Sequence, residues 1–143
     1  MAYCSVGDLS GRLSDEKLIQ LTDDGNTGSA NQDRAAAAIA DAQELIDGYL
    51  RGRMTLPLNP VPGLIKNIAV TLAAYSLFQR RLNVMPAPEQ MKNDYDGAIR
   101  TLEKIQSGKI TINDADAARG PGSYKVNKTR RDRMFGKQRL EEF

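Results

Sequence analysis

From about Gln32 to Arg53, apolar side chains recur at steps of three and four: Ala35, Ala38, Ile39, Ala42, Leu45, Ile46, Tyr49 and Leu50. That is the period of one helical face, and it predicts a long amphipathic helix. Asp41, Glu44, Asp47 and Arg51 fall on the other side, with Asp47 and Arg51 spaced for an i,i+4 ion pair. Gly48 and Gly52 weaken the last turns and mark either close packing or a bend. A second long helix is predicted after Pro62, where Leu64, Ile65, Ile68, Ala69, Leu72, Ala73, Tyr75, Leu77 and Phe78 are apolar nearly all round. Such a helix belongs at the centre of the core. Pro62 suits its first position, and Arg80 and Arg81 close it where cations favour the negative end of the macrodipole. Met91, Tyr95, Ala98, Ile99, Leu102 and Ile105 trace a third helical face, with Gly108 as a left-handed cap.

Two shorter helices precede these three. Ser5 followed by Asp8 reads as a capping box ahead of Leu9 and Leu13, and Ser14 repeats the start signal before Leu18, Ile19 and Leu21. The run from Thr22 to Ser29 is a loop, and the prolines at 57, 60 and 62 and again at 86 and 88 break the helical pattern. Lys109 to Ile112 alternates polar and apolar residues, which suits a short extended segment leaving the bundle. The chain is therefore expected to be all-α: a small bundle of three long and two short helices over residues 1–113, followed by an extended C-terminal arm over 114–143.

Charge separates the same two regions. Residues 1–113 carry 12 basic and 13 acidic side chains, and residues 114–143 carry 8 and 5, so a body of −1 is joined to an arm of +3. Between Arg119 and Arg139 the local charge reaches +7, because Asp132 is the sole acid there. Arg130, Arg131, Arg133 and Arg139 are interleaved with Phe135 and Leu140, and the chain finishes at Phe143. Apolar anchors beside forked guanidinium donors are suited to docking on a protein partner. A basic arm of this kind also fits a small nucleic-acid-binding protein, which is the competing reading.

The chemistry available to the chain is narrow. There is no histidine, which excludes Ser-His and Cys-His nucleophile pairs and histidine-bearing zinc sites. A single cysteine, Cys4, offers neither an intramolecular disulfide nor a thiolate cluster, and it reads as a small apolar filler. The acidic pairs Asp23-Asp24, Asp94/Asp96 and Asp114/Asp116 read as solvated surface rather than as metal or acid/base sites. Neither Ser107-Gly108-Lys109 nor the Gly120 region has the spacing of a phosphate loop. No apolar run reaches membrane-spanning length, and no secretory leader is evident, so a soluble, non-secreted protein with no cofactor, no metal and no enzymatic activity is expected.

The order of motifs adds a resemblance. Tyr3-Cys4, Asp8-Leu9, Leu18 to Asp23 and then Ile46-Asp47-Gly48-Tyr49-Leu50-Arg51-Gly52-Arg53 running into Leu56-Pro57-Leu58 resemble the Mu-type prophage family of head-tail connector, or neck adaptor, proteins. The Ile-Asp-Gly-Tyr-Leu block before Leu-Pro-Leu is its most specific part. The likeness continues through Tyr95, Leu102 and Gly108 to an ending at Arg133, Phe135, Leu140 and Phe143, in which Gly136-Lys137 replaces the serine-arginine of the family pattern. The resemblance implies a virion protein of the head-tail neck, assembled in the bacterial host cytoplasm. It further implies a ring of copies, dodecameric to match the capsid portal, that presents a platform to the next neck or tail protein while DNA passes through the lumen without specific binding. In that setting Arg130, Arg131, Arg133, Phe135, Arg139, Leu140 and Phe143 meet the portal or a neighbouring subunit.

Overall fold

The computed structural model describes residues 2–112 as five helices: α1 (Val6–Leu13), α2 (Asp15–Thr22), α3 (Gln32–Leu50), α4 (Gly63–Arg80) and α5 (Glu89–Gln106). The protein is all-α, and α3, α4 and α5 pack on one another while α1 and α2 cover one side of α3 and α4. No helix among the described residues is long and apolar enough to cross a membrane. The arm residues 114–143 lie outside the described residues.

The start signals act as the sequence predicts. The Ser5 hydroxyl accepts from the Asp8 amide, while the Asp8 carboxylate accepts from the Ser5 amide at 2.8 Å, completing the capping box. These bonds hold the Asp8 carboxyl below its ordinary range, the Ser5 amide foremost. Ser14 serves two helices: its amide donates to the Ser10 carbonyl at the end of α1, and its hydroxyl accepts from Lys17 at the start of α2. The α1–α2 corner is thus one residue wide, with Ser14 at a φ of 75°.

Helix α4 is the central one, with nine buried side chains that include Ile65, Leu72, Leu77 and Phe78. Around it close Leu9, Leu21, Ile46, Leu50 and Leu102, each fully buried and each worth about 1.5–3 kcal/mol of transfer free energy. The small residues Ala35, Ala38 and Ala42 of α3 and Ala69 and Ala73 of α4 are buried as well, so helices 3 and 4 form the main packed pair. Cys4 is a buried core residue whose thiol is pushed up to about 11 by burial, with Asp8 adding to the shift.

Four details differ from the sequence expectation. Helix α3 stops at Leu50 rather than Arg53, because Gly52 adopts a φ of 87° and turns the chain out of the helix. Pro62 is the cap before α4, with Gly63 in the first helical position. Asp47 and Arg51 do not pair, since the Asp47 carboxylate is taken by the Tyr3 hydroxyl. Lys109 to Ile112 does not leave the bundle as an extended piece. After Gly108, at the expected left-handed φ of 82°, the amides of Lys109 and Ile110 both return to the Lys104 carbonyl, and Ile110 and Ile112 pack against the core.

Candidate functional site

The block Ile46–Pro57 is built as a junction. Ile46 and Leu50 are buried one turn apart on α3, which leaves Asp47 and Tyr49 half-buried and Gly48, Arg51, Gly52 and Arg53 at the surface. At the exit of the helix the amides of Arg53 and Met54 fold back to the Leu50 carbonyl, at 2.9 and 3.2 Å. This sends Leu56 and Pro57 alongside the helix they have just left, with Leu58 buried.

Tyr3 ties that return to the N-terminus. Its hydroxyl donates to Asp47 Oδ1 and accepts from the Leu58 amide at 3.3 Å, so one buried phenol joins the N-terminal segment, α3 and the proline turn. Burial, reinforced by the Asp47 carboxylate, raises the Tyr3 pKa above its usual value of 10.0. On the opposite side Arg53 Nε donates to the Gln106 carbonyl at 2.8 Å, capping the end of α5, and its guanidinium lies against Gly108, where an added Cβ would come within 3.3 Å of it. Gly48 shows no comparable crowding: a Cβ there would meet nothing within 4 Å. Of the two readings for these glycines, Gly52 is the bend, and close packing among the described residues does not account for Gly48.

Between α3 and the proline turn, Gln43, Asp47, Arg51, Gly52, Met54, Leu56 and Pro57 line an open depression of about 490 Å³. Its one half-buried carboxylate is bound to a phenol, and the block contains no nucleophile beside a base. Among the described residues no three metal-ligating side chains converge.

A second polar cluster gathers at the end of α2, from residues whose spacing along the chain carries no signal of it. Arg80 donates to the Leu21 carbonyl and makes a forked pair with both Asp24 oxygens at 2.8 Å, Arg81 donates to the Gln20 carbonyl, and Arg34 donates to the Thr22 carbonyl at 2.9 Å. Arg34 of α3, Arg80 at the end of α4 and Arg81 just after it therefore cap α2 and meet at Asp24. The hydrogen bonds from Arg80 lower the Asp24 carboxyl to about 2, helped by the Arg34 and Arg81 charges, and the Arg80 guanidinium is raised in turn. Asp23 accepts from the Thr27 and Gly28 amides at 2.9 and 2.8 Å, which depresses its carboxyl and shapes the loop. The Asp23-Asp24 pair is thus partly exposed and committed to structural bonds rather than simply solvated. Asp94 is likewise paired, with Arg12 at 2.7 Å.

A third surface is apolar. Tyr75 of α4 stacks on Tyr95 of α5 with centroids 4.2 Å apart, and together with Asp41, Ala42, Leu45, Leu72, Ser76 and Gln79 they line a groove of about 260 Å³. Leu45 remains 39% exposed at its edge. Both other exposed apolar positions on the α4–α5 connection, Leu82 and Val84, lie outside this groove.

The structure therefore brings Ile46, Asp47, Gly48, Tyr49, Leu50, Gly52, Arg53, Leu56 and Pro57 into one junction. Arg130, Arg131, Arg133, Phe135, Arg139, Leu140 and Phe143 all lie outside the described residues. Residues 3–128 match the family described as Bacteriophage Mu, Gp36, a span that takes in the whole junction and all five helices. The chain belongs to this Gp36 family. It is 37% identical over 111 residues to "Gene product J" of Escherichia phage Mu, an alignment covering 76% of this chain and 74% of the relative. It is 36% identical over 88 residues to the "Mu-like prophage FluMu protein gp36" of Haemophilus influenzae, covering 62% of this chain and 59% of that protein. The protein is thus a Mu-type phage protein. The family match ends at residue 128, ahead of Arg130 to Phe143.

Proposed function

We propose that this Gp36-family protein is a structural subunit of phage assembly: a head-tail connector that forms a ring between the capsid portal and the next neck or tail protein. The observation that carries the reading is how the polar residues of the Ile46–Pro57 block are used. Asp47 and Arg53 hold the N-terminus, the proline turn and the end of α5 in register. A body fixed in this way suits shape-dependent assembly, in which the arm engages the partners.

In this reading Phe135, Leu140 and Phe143 enter pockets on the portal or a neighbouring copy, while Arg130, Arg131, Arg133 and Arg139 set the register against acidic groups. A heterologous contact repeated by rotation closes into a ring, dodecameric where it matches the portal. Repetition multiplies modest affinities through effective concentration, so no single arm needs to bind tightly. DNA passes through the lumen without specific contacts, and no membrane or cofactor takes part. The protein resides in the virion neck after assembly in the host cytoplasm.

Measuring the mass of the full chain alone and with a candidate portal tests this directly. The reading expects a defined complex with a fixed number of copies per portal, and it fails if the portal leaves the mass of both components unchanged. The +7 stretch from Arg119 to Arg139 favours a second reading, a nucleic-acid arm, which expects DNA binding that falls steeply with salt.

A further inference from the structure

Four large apolar side chains among the described residues stand exposed: Leu45, Leu64, Leu82 and Val84. Three of them belong to two surfaces of opposite shape. Leu45 edges the groove between α3, α4 and α5, which is walled by Leu72 and the stacked Tyr75–Tyr95 pair. The groove's volume of about 260 Å³ exceeds the about 150 Å³ that accommodates benzene in an apolar protein cavity, so it has room for a leucine side chain. Leu82 and Val84 form a projection. The amides of Val84 and Met85 both return to the Arg81 carbonyl, at 3.0 and 2.9 Å, and this tight turn after α4 leaves Leu82 46% and Val84 64% exposed. The turn is braced: Arg80 and Arg81 donate to the Leu21 and Gln20 carbonyls, and Val84 and Met85 share a shallow depression with Ile19, Gln20 and Asp23 of the α2 end. A projection held this way has little conformational freedom to lose on binding.

Groove and projection face different sides of the bundle. Gln79 lines the groove, whereas Arg80, the next residue and about 100° further around α4, reaches α2. The projection departs from that α2 side. Two unlike surfaces on different sides of one chain cannot meet each other, but each can meet its counterpart on a neighbour, and a contact of this heterologous kind closes into a ring when its rotation permits. Charge does not oppose it. Asp41 and Glu44 make the α3 edge of the groove acidic, and beside Tyr95 the exposed Lys92 offsets Asp96. Near the projection Arg34, Arg80 and Arg81 balance Asp23, Asp24 and Glu89, the last of these five residues after Val84. We infer that Leu82 and Val84 of one copy enter the α3–α4–α5 groove of the next, and that this is the contact joining copies in the ring. It rests on the ring of copies in the proposed function and names the surfaces that join them.

Sedimentation velocity of the full chain tests it. Leu45→Lys blocks the groove and keeps the projection, while Leu82→Ser with Val84→Ser removes the projection and keeps the groove. Wild type must associate beyond the dimer as its concentration approaches about 1 mM. Each variant alone must weaken that association by at least about tenfold, since each takes a large apolar side chain out of the contact. An equimolar mixture of the two must form a heterodimer and stop there, because one intact groove then meets one intact projection and neither chain can extend further. A wild type that stays monomeric or stops at a dimer, association undiminished in either variant, or a mixture no larger than its components each overturn the inference. Circular dichroism checks that the helical body is retained, and Gln79→Arg, at an exposed groove position, replaces Leu45→Lys if that variant loses helicity. Portal binding is scored separately. A defined portal complex formed by a chain that fails these tests leaves the connector reading standing with a different contact between copies, whereas the capped heterodimer together with a portal that binds no copy refutes the connector reading instead.

Discussion

Replacing Tyr3 with phenylalanine removes one oxygen and two hydrogen bonds. Tyr3 is 2% exposed and Leu58 3%, so the Leu58 amide loses its acceptor where water does not readily replace it. An unsatisfied buried donor costs about 1–3 kcal/mol. Asp47 also loses a donor to its carboxylate, a bond of a type worth about 1.5–3 kcal/mol, but its half-buried position admits water and puts the loss at the low end. Not having to bury the phenol hydroxyl offsets part of both terms. The expected net loss is about 2–3 kcal/mol, and with a urea m-value of about 2 kcal/mol/M the midpoint falls by about 1–1.5 M. Asp47→Asn keeps an acceptor for Tyr3 and should lose less than half as much. Urea unfolding followed by circular dichroism at pH 7 provides the measurement. A Tyr3→Phe midpoint within about 0.3 M of wild type, at unchanged m, would refute the claim that this phenol ties the N-terminus to the junction. The same bond predicts an alkaline limit. The Tyr3 pKa is raised in the folded state, so its contribution is intact below the unfolded value of 10.0 and is lost as the pH rises past it.

Acid provides the complementary test: Asp8, Asp23 and Asp24 all have folded-state pKa values below 3.8, so the stability they contribute is complete above that value and disappears as pH falls toward about 2, read as urea midpoints at pH 5, 4, 3 and 2. Gly108→Ala should cost about 1 kcal/mol or more in the same unfolding assay, because the residue adopts a φ of 82° and the added methyl meets the Arg53 guanidinium. Gly48→Ala should instead stabilise the isolated protein by about 0.5–1 kcal/mol, as the methyl enters open space on a helix; a loss of stability would mean that the site is more crowded than the structure describes. Cys4, buried with its thiol near 11, should react with a thiol reagent at pH 7 only at the rate of unfolding, and rapid stoichiometric labelling of native protein would contradict its place in the core.

The helices were legible because each carries its own local signal. Ser5 with Asp8, the three-and-four spacing from Ala35 to Leu50, and Gly108 require no knowledge of the rest of the chain, and each acts where the sequence places it. Residues with two available partners were less legible. The spacing of Asp47 and Arg51 predicts an i,i+4 pair, but an exposed pair of that kind gains only about 0.3–0.5 kcal/mol, and a buried phenol arriving from residue 3 competes successfully. The arginine cluster at Asp24 escaped for the same reason: Arg34, Arg80 and Arg81 meet only after α2, α3 and α4 have packed, and nothing in their spacing records it. Lys109 to Ile112 alternates like a strand, yet with no partner strand among the described residues it curls onto the bundle, where Ile110 and Ile112 find apolar contacts. In the Ile46–Pro57 block the residue types were evident from sequence, while their common purpose became visible only through Tyr3 and Gln106, each more than forty residues away from its partner in the block.

The proposed connector role is tested most directly by portal capture at two salt concentrations. Full-length protein is compared with Phe135→Ala, with a form lacking Leu140 to Phe143, and with charge reversal at Arg130, Arg131 and Arg133. Wild type should retain portal at moderate salt, and either loss of anchors should lower capture by an amount corresponding to about 2 kcal/mol or more, a factor of roughly thirty. Charge reversal should matter less, and more at low salt than at moderate salt. Portal capture unaffected by Phe135→Ala and by the truncation, alongside DNA binding abolished by charge reversal, would contradict it.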